Sequence, residues 1–305
     1  MRKRHKTKKD LKRSGIFINC IFIGASLILS SCVNTDNTTN SSESLNRENL
    51  WHIQLQDAEY DNLKNANIGT LVIDQYEEML SRDEINALSE NRMLLSYLSI
   101  GAAEDYRDYW QPEWKIGNPD FIEEELRNWK GNYYVRYWDP NWQEIIFIRI
   151  QEIAEHGYDG AYLDMVDSYY YFESNGRESA GKEMIDFIRS IRIEAKDINP
   201  EFLIVPQNAP ELYEYNEFRE IIDGLGKEDT WYYGNTRRPQ IETDYELKYL
   251  DQIIEDGKFV LAIDYVTSER NIEKFYESCI EHGFYPTVSS RELDKDFQPS
   301  PKISP

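Results

Sequence analysis

The stretch Gly157-Tyr158-Asp159-Gly160-Ala161-Tyr162-Leu163-Asp164-Met165-Val166-Asp167-Ser168-Tyr169 decides the fold class. A glycine-containing turn leads into a short apolar run, Ala161 to Leu163, and the run ends at the carboxylate of Asp164. This pattern is typical of a buried parallel strand whose carboxyl end opens into a polar site. In a parallel barrel such strand ends carry the catalytic groups, so Asp164 is the first candidate. The alternative is that Asp164 only caps the segment after it, since aspartate is common in turns.

Apolar runs of the same kind alternate with amphipathic helical segments along the chain. Together with the opening stretch they predict strands at His52–Gln56, Thr70–Asp74, Met93–Ile100, Ala161–Leu163, Phe202–Asn208, Ile222–Glu228, Phe259–Asp264 and Phe284–Val288. Apolar residues at helical spacing predict helices between them, for example at Trp142–Ala154 and Met184–Ala195. Eight such alternations predict an α/β fold, a single-domain (β/α)8 TIM barrel. A doubly wound sheet is the alternative, but no glycine-rich nucleotide loop follows the first strand.

Residues 101–139 do not fit this alternation. They contain many aromatic residues and one strand-like segment, Asn132–Asp139, before the helix that leads to the fourth strand. The sequence therefore predicts a long aromatic loop after strand three. Loops of this length within a compact domain are usually functional.

The first residues are typical of an export signal rather than of a folded domain. A basic segment precedes an apolar stretch from Gly15 to Leu29, followed by Leu29-Ser30-Ser31-Cys32. This ending resembles a bacterial lipobox and predicts cleavage of a signal peptide, residues 1–31, with a lipid attached to Cys32. An ordinary signal peptide and an uncleaved anchor are the alternatives.

Four segments follow from this interpretation. Residues 1–31 are the signal peptide, 32–50 a flexible tether rich in Asn, Thr and Ser, 51–293 the barrel, and 294–305 a loose tail. A lipid on Cys32 holds a protein at a membrane without spanning it. The expected location is thus the extracellular face of a bacterial membrane.

The charge of the chain restricts its partners. The net charge is −22, and without residues 1–31 the chain keeps 26 basic and 55 acidic residues, a net charge of −29. Such a surface argues against nucleic acid as a partner and is compatible with a cationic ligand. The alternative is that the acidic excess only keeps an exported protein soluble.

No cofactor and no metal site are expected. The histidines outside residues 1–31, His52, His156 and His282, are not in a metal-ligand spacing, and no P-loop or nucleophile elbow is present. The only cysteine after Cys32 is Cys279, so no internal disulfide is expected. A divalent cation at Asp164 and Asp167 is the alternative.

Carboxylates dominate the predicted strand ends. Two carboxylates on either side of a bond are the usual apparatus of glycoside hydrolysis, and Asp164 and Glu228 lie at the ends of strands four and six. Aromatic rings near strand ends favour the same substrate class because they stack on sugar rings. The predicted substrate-binding residues are Asp74, Tyr97, Glu104, Trp138, Asp167, Gln207, Asn208, Trp231, Asp264 and Tyr265. Many of the aromatic residues could instead pack the long loops.

Several motifs, in order along the chain, resemble glycoside hydrolase family 114. They are Gln54-Leu55-Gln56, Tyr97-Leu98-Ser99-Ile100-Gly101, Ala103-Glu104, Tyr158-Asp159-Gly160, Leu163-Asp164, Val166-Asp167, Asp223-Gly224 and Glu228-Asp229. The resemblance implies a (β/α)8 barrel with endo-α-1,4-polygalactosaminidase activity. It also implies that Asp164 and Glu228 are the catalytic carboxylates and that Tyr97, Asp167, Gln207 and Asn208 lie near the sugar.

The sequence leads to one hypothesis and one alternative. The hypothesis is a lipid-anchored extracellular endo-glycosidase that cleaves an amino-sugar polysaccharide, with Asp164 as nucleophile or base and Glu228 as acid. The alternative is a lipid-anchored carbohydrate-binding barrel that does not catalyse. Binding alone needs neither of the two acids.

Overall fold

The computed structural model describes residues 47–297. The predicted signal peptide, the predicted lipidation site Cys32, most of the predicted tether and residues 298–305 lie outside this range. Residues 47–50 were assigned to the tether, but Arg47–Asn49 form a 3-10 helix and the side chain of Leu50 is buried. Among the described residues no helix is both long and apolar enough to cross a membrane.

The strands and helices follow the predicted alternation. The strands are β1 (Trp51–Gln54), β2 (Thr70–Ile73), β3 (Met93–Ser99), β4 (Ala102–Glu104), β5 (Ile122–Glu125), β6 (Asn132–Val135), β7 (Gly160–Asp164), β8 (Leu203–Pro206), β9 (Gly224–Glu228), β10 (Tyr232–Tyr233), β11 (Thr236–Arg237), β12 (Phe259–Asp264) and β13 (Tyr285–Val288). The helices are α1 (Tyr60–Asn65), α2 (Gln75–Glu78), α3 (Arg82–Ser89), α4 (Pro140–His156), α5 (Tyr169–Ser174), α6 (Ala180–Ile198), α7 (Asn216–Arg219), α8 (Gln240–Glu255) and α9 (Glu269–His282). Further 3-10 helices lie at Val166–Ser168 and Pro210–Glu214.

Eight of these strands form the parallel centre of the molecule. Strands β1, β2, β3, β7 and β8 pair in that order, and β9, β12 and β13 pair in the same direction. A parallel bridge between Gln207 and Gly226 links β8 to β9. The fold is thus a mixed α/β fold with a parallel central sheet, as predicted, and the eight strands follow the predicted order.

Alternate residues of these strands meet in one apolar cluster. Trp51 of β1, Tyr162 of β7 and Leu261 of β12 belong to it, and each is fully buried. The indole nitrogen of Trp51 donates to the carbonyl oxygen of Ala262 at 3.1 Å, and its ring lies 6.0 Å from that of Tyr162. The first and the seventh parallel strands therefore face a common interior, while the helices pack on the outer faces.

Residues 101–139 are not an irregular loop. Their short strands form an antiparallel sheet in the order β4-β6-β5. The aromatic residues of this sheet pack against each other and against α5: Trp110 stacks on Tyr133 at 5.1 Å, and Tyr134 stacks on Tyr171 at 4.1 Å. The strand-like character of Asn132–Asp139 was the only part of this sheet that the sequence indicated.

Local signals set the entry into β7. Asp139 caps α4 by accepting a hydrogen bond from the backbone nitrogen of Asn141, and Pro140 occupies the first turn. The helix ends at Gly157, whose φ of 99° is the left-handed conformation that glycine adopts without strain. The chain then turns into β7, which carries Asp164 at its carboxyl end.

The last described residues pack against the beginning of the domain. The backbone nitrogen of Leu55 donates to the carbonyl oxygen of Leu293 at 2.8 Å, and the ring of Phe297 lies 5.7 Å from that of His52. The side chain of Asn62 donates to Asp296 at 3.1 Å. Residues 294–297, assigned to a loose tail, thus contact β1 and α1.

Candidate active site

Asp164 and Glu228 lie at the same edge of the central sheet. Asp164 is the last residue of β7 and Glu228 the last of β9, and β8 lies between these strands. Because the strands are parallel, their carboxyl ends meet at one edge. The segment after β8 adds Gln207 and Asn208 to this edge.

Two fixed donors hold the carboxylate of Asp164. The hydroxyl of Tyr97, on β3, donates to Oδ2 at 2.6 Å, and the backbone nitrogen of Met165 donates to Oδ1 at 2.6 Å. Both hydrogen bonds favour the charged carboxylate. The Tyr97 side chain is itself 8% exposed, so its hydroxyl is held in place by the packing around the ring. Asp164 therefore has a defined orientation.

Glu228 is held from both neighbouring strands. The hydroxyl of Tyr265, which follows β12, donates to Oε1, and the amide nitrogen of Asn208, which follows β8, donates to Oε2 at 3.1 Å. The side-chain oxygen of Asn208 also accepts the backbone nitrogen of Glu228 at 3.2 Å. Asn208 and Glu228 thus hold each other in position.

The carboxylates of this edge interact electrostatically. Burial, followed by the negative charge of Glu228, raises the pKa of Asp164 from 3.8 to about 7. The same two causes, in the same order, raise the pKa of Asp167 to about 6. Repulsion between neighbouring carboxylates means that the group can retain a proton near neutral pH, which general acid–base catalysis requires.

Strained backbone marks the residues that directly follow the strand ends. Met165 after Asp164, Asn208 and Ala209 after β8, and Asp229 after Glu228 have φ values of 61°, 63°, 51° and 51°. None of them is glycine, so each pays a conformational cost in this left-handed region. Such strain persists only where the surrounding structure enforces it and is concentrated at functional sites.

A cleft with a volume of about 280 Å³ opens at this edge, and we call it the strand-end cleft. Its lining residues come from β9, from the segments after β7, β8 and β9, and from α8. They are Asp167, Tyr170, Asn208, Ala209, Pro210, Glu211, Lys227, Glu228, Asp229, Tyr233, Arg238 and Glu246. Asp167, Asn208 and Glu228 were predicted site residues.

Glu211 and Tyr233 also line the cleft and are not among the predicted site residues. Glu211 follows Asn208 by three residues in a 3-10 helix, and it accepts hydrogen bonds from the hydroxyls of Tyr169 and Tyr170. Its position just after a predicted strand end was the available signal. Tyr233 belongs to β10, which pairs with β11 to form a short hairpin after β9. The available signal was the pair Gly234-Asn235 between the two strands, because Gly-Asn favours a two-residue hairpin turn.

Asp74 and Glu104 lie at a second, smaller cavity of about 10 Å³. Arg107, which the sequence did not single out, bridges them: its guanidinium lies 2.6 Å from each carboxylate. Asp74 also caps α2 through the backbone nitrogen of Tyr76 at 2.9 Å. Tyr97, whose hydroxyl bonds Asp164, lines this cavity as well.

The other predicted substrate-binding residues lie outside the lining of the strand-end cleft. Trp231 is 3% exposed and packs against Phe275 and Phe284, while Trp138 packs against Phe172 and under the guanidinium of Arg177. Gln207 is buried where β8 meets β9.

Asp264 is fully buried and binds backbone rather than facing the cleft. Its carboxylate accepts the backbone nitrogens of Thr230, Trp231 and Tyr232 at 2.7, 3.1 and 3.0 Å. Burial raises the pKa of Asp264 to about 7. Asp264 thus shapes the segment between β9 and β10.

The described residues offer no group of three or more His, Cys, Asp or Glu side chains that could hold a metal ion. This edge contains carboxylates, tyrosine hydroxyls and the side-chain amides of Gln207 and Asn208. That chemistry suits proton transfer and charge stabilisation at a substrate.

Relatives of similar length exist in distant microorganisms. An uncharacterized protein of Methanocaldococcus jannaschii is 37% identical over 284 residues, which are 86% of this chain and 82% of the relative. An uncharacterized protein of Thermotoga maritima is 31% identical over 264 residues, which are 81% of this chain and 82% of the relative.

Two solved structures share the fold. The glycoside hydrolase domain of PelA from Pseudomonas aeruginosa superposes with a TM-score of 0.63 at 18% identity, over 81% of this chain and 96% of that domain. Ega3 from Aspergillus fumigatus, solved in complex with galactosamine, gives a TM-score of 0.66 at 18% identity, over 85% of this chain and 97% of Ega3.

The family model for glycoside-hydrolase family GH114 matches residues 33–302. The match includes every strand of the central sheet and both Asp164 and Glu228. It confirms the resemblance that the sequence motifs indicated. The chain belongs to glycoside-hydrolase family GH114.

Proposed function

We propose that this glycoside hydrolase cleaves bonds within an amino-sugar polysaccharide, as an endo-α-1,4-polygalactosaminidase. The observation that carries the proposal is the pair Asp164 and Glu228, held by fixed donors at one edge of the sheet and coupled by charge. The fold shared with Ega3, which was solved with galactosamine, supports the choice of sugar. The acidic charge of the chain supports a cationic substrate.

In the proposed mechanism, Glu228 and Asp164 have different roles. Glu228, which lines the strand-end cleft, gives its proton to the glycosidic oxygen as the bond to the anomeric carbon breaks. Asp164, whose carboxylate is oriented by hydrogen bonds from Tyr97 and Met165, acts in its ionised form and either bonds to the anomeric carbon or takes a proton from the attacking water. These two routes correspond to retention and inversion at the anomeric carbon. Product analysis by NMR distinguishes them.

We propose neighbouring roles for the remaining site residues. Asn208 and Tyr265 keep Glu228 in position, and Asp167 faces the sugar from the cleft wall. Asp74 and Glu104, paired with Arg107, act on the site through Tyr97.

The proposal extends to architecture and location. We propose that the eight parallel strands close into a (β/α)8 barrel, which the shared interior contacts of β1, β7 and β12 support. We also propose that a lipid on Cys32 anchors the enzyme to the outer face of a bacterial membrane, based on the Leu29–Cys32 motif. Loss of membrane-associated protein in a Cys32→Ala variant tests the anchor.

Release of reducing ends from partly deacetylated α-1,4-galactosamine polymer tests the activity. Asp164→Asn and Glu228→Gln should each lower the rate by a factor of roughly 100 or more, because each removes one of the two catalytic carboxylates. Asp197→Asn and Glu217→Gln, at exposed positions on α6 and α7, are charge-matched controls that should keep the wild-type rate. Full activity in both active-site variants would refute the assignment. Binding of polymer by the wild type without turnover would support the non-catalytic alternative instead.

A further inference from the structure

The strand-end cleft has two half-exposed tyrosine rings among its lining residues. Tyr170 belongs to α5 after β7 and is 47% exposed, and Tyr233 belongs to β10 after β9 and is 50% exposed. The segment after β8, which holds Asn208, comes between them in the strand order β7-β8-β9. Because about half of each side chain is exposed to solvent, Tyr170 and Tyr233 do not belong to the hydrophobic core. They are available to a ligand in the cleft.

Tyr170 is fixed in orientation at one wall. Its hydroxyl donates to Glu211, and its ring lies 4.3 Å from that of Tyr169 at an angle of 34°. Tyr169 is 3% exposed and also donates to Glu211, so the carboxylate ties both tyrosines together. One side of the Tyr170 ring is thus backed by protein.

Tyr233 is held in a comparable way on the segment after β9. Its hydroxyl donates to Glu242 of α8 at 3.2 Å, and the guanidinium of Arg238 lies over its ring, 5.0 Å from the centroid. Arg238 is itself fixed by Glu246 at 2.6 Å. The Arg238 guanidinium and the Glu242 carboxylate therefore orient the Tyr233 ring in the absence of ligand.

We propose that Tyr170 and Tyr233 are stacking platforms that bind sugar units on either side of the bond cleaved at Asp164 and Glu228. This inference rests on the proposed function. It explains how the enzyme would bind several units of a polysaccharide rather than a single sugar. The apolar face of a pyranose ring packs well on an aromatic face, and an aromatic face also attracts a cationic group. Because both rings are pre-oriented, little conformational entropy is lost on binding.

The experiment compares a long galactosamine polymer with short oligomers of the same sugar. Tyr170→Ala and Tyr233→Ala should each raise KM for the polymer by about threefold to tenfold, the range for loss of one aromatic contact. The increase should fall mainly on KM rather than on kcat, and it should be smaller for the shortest oligomers, which do not reach both platforms. Tyr170→Phe and Tyr233→Phe keep the ring and should restore most of the affinity.

Tyr215→Ala is the matched control, because Tyr215 is 48% exposed and is not among the residues that line the cleft. Binding of the polymer, measured by calorimetry in an Asp164→Asn background, gives a readout that does not depend on turnover. Wild-type KM and affinity in both alanine variants would overturn the inference even if the enzyme is active. Absence of turnover in the wild type would count against the proposed function, while weaker binding in the alanine variants would still support the platforms.

Discussion

At the scale of single residues, the hydroxyl of Tyr97 affects the pKa of Asp164. The hydrogen bond from Tyr97 to Asp164 favours the charged carboxylate, against burial and the charge of Glu228, which favour the protonated form. The balance brings the pKa of Asp164 to about 7. If Asp164 must be ionised for catalysis, activity rises as pH increases through that value.

Tyr97→Phe should therefore move the acidic limb of the pH profile of kcat/KM to higher pH. Without the hydroxyl, the charged form of Asp164 loses a donor, so its pKa rises above about 7 and more base is needed to ionise it. The measurement is kcat/KM across the pH range. Tyr215→Phe removes the hydroxyl of a half-exposed tyrosine that lines neither cavity and serves as control. An unchanged or lower midpoint in Tyr97→Phe would contradict this role.

Residues at or next to strand ends could be predicted from the sequence, including Tyr97 and Asn208, which hold the two acids, whereas Arg107 could not. Asp164 and Glu228 end apolar runs of strand length, which is a pattern visible in sequence. Arg107 lies in the segment after β4, and only the folded chain brings it between Asp74 and Glu104. Trp231 and Asp264 were predicted to bind substrate and lie elsewhere. Trp231 packs into the core, and Asp264 accepts hydrogen bonds from the backbone.

At the scale of elements, the segment between β9 and β10 depends on Asp264. Asp264→Ala leaves three buried backbone nitrogens without their acceptor. An unmet buried hydrogen-bonding group costs about 1–3 kcal/mol, so the variant should lose about 2–4 kcal/mol of stability after partial relaxation. Thermal unfolding should show a fall in Tm of roughly 4–16 °C. Asp244→Ala, in α8 at the surface, should show almost none.

Close packing of β9 against β7 requires a glycine at position 226. A Cβ there would lie 2.1 Å from the hydroxyl oxygen of Tyr162 and 2.4 Å from its ring. Gly226→Ala should destabilise the protein by at least about 1–3 kcal/mol, because the interior has no room for the shift. Gly181→Ala is the control, since its nearest contact would be 3.2 Å away at the end of the Glu173 side chain. Equal Tm values for the two variants, measured by calorimetry, would contradict the packing argument.

The sequence predicted the elements that have a regular apolar pattern. It did not predict the small antiparallel sheet β4-β6-β5. Parallel strands such as β2 and β12 are almost continuous apolar runs because both of their faces are covered. β5 reads Ile122-Glu123-Glu124-Glu125, and only Ile122 of it is buried. Its pairing with β6 comes from tertiary contacts that override the low strand propensity of glutamate.

At the scale of the whole molecule, the acidic charge should affect catalysis through long-range attraction. Without residues 1–31 the chain carries a net charge of −29, and free galactosamine polymer is cationic. Added salt screens this attraction, so kcat/KM for the deacetylated polymer should fall by roughly tenfold between low and high ionic strength. The fully N-acetylated polymer, which has no charge, should show little change. An equal salt response for both polymers would exclude electrostatic gathering of substrate.

The two ends of the described chain meet, and this affects how the protein can be made. Trp51 in the first strand bonds the carbonyl of Ala262, and Leu55 bonds the carbonyl of Leu293. The first strand to emerge during synthesis can therefore bury its side chains only after the last strands are available. We therefore expect the nascent chain to complete its folding only when synthesis is nearly complete. Such delayed folding keeps a polypeptide competent for threading through a translocation channel.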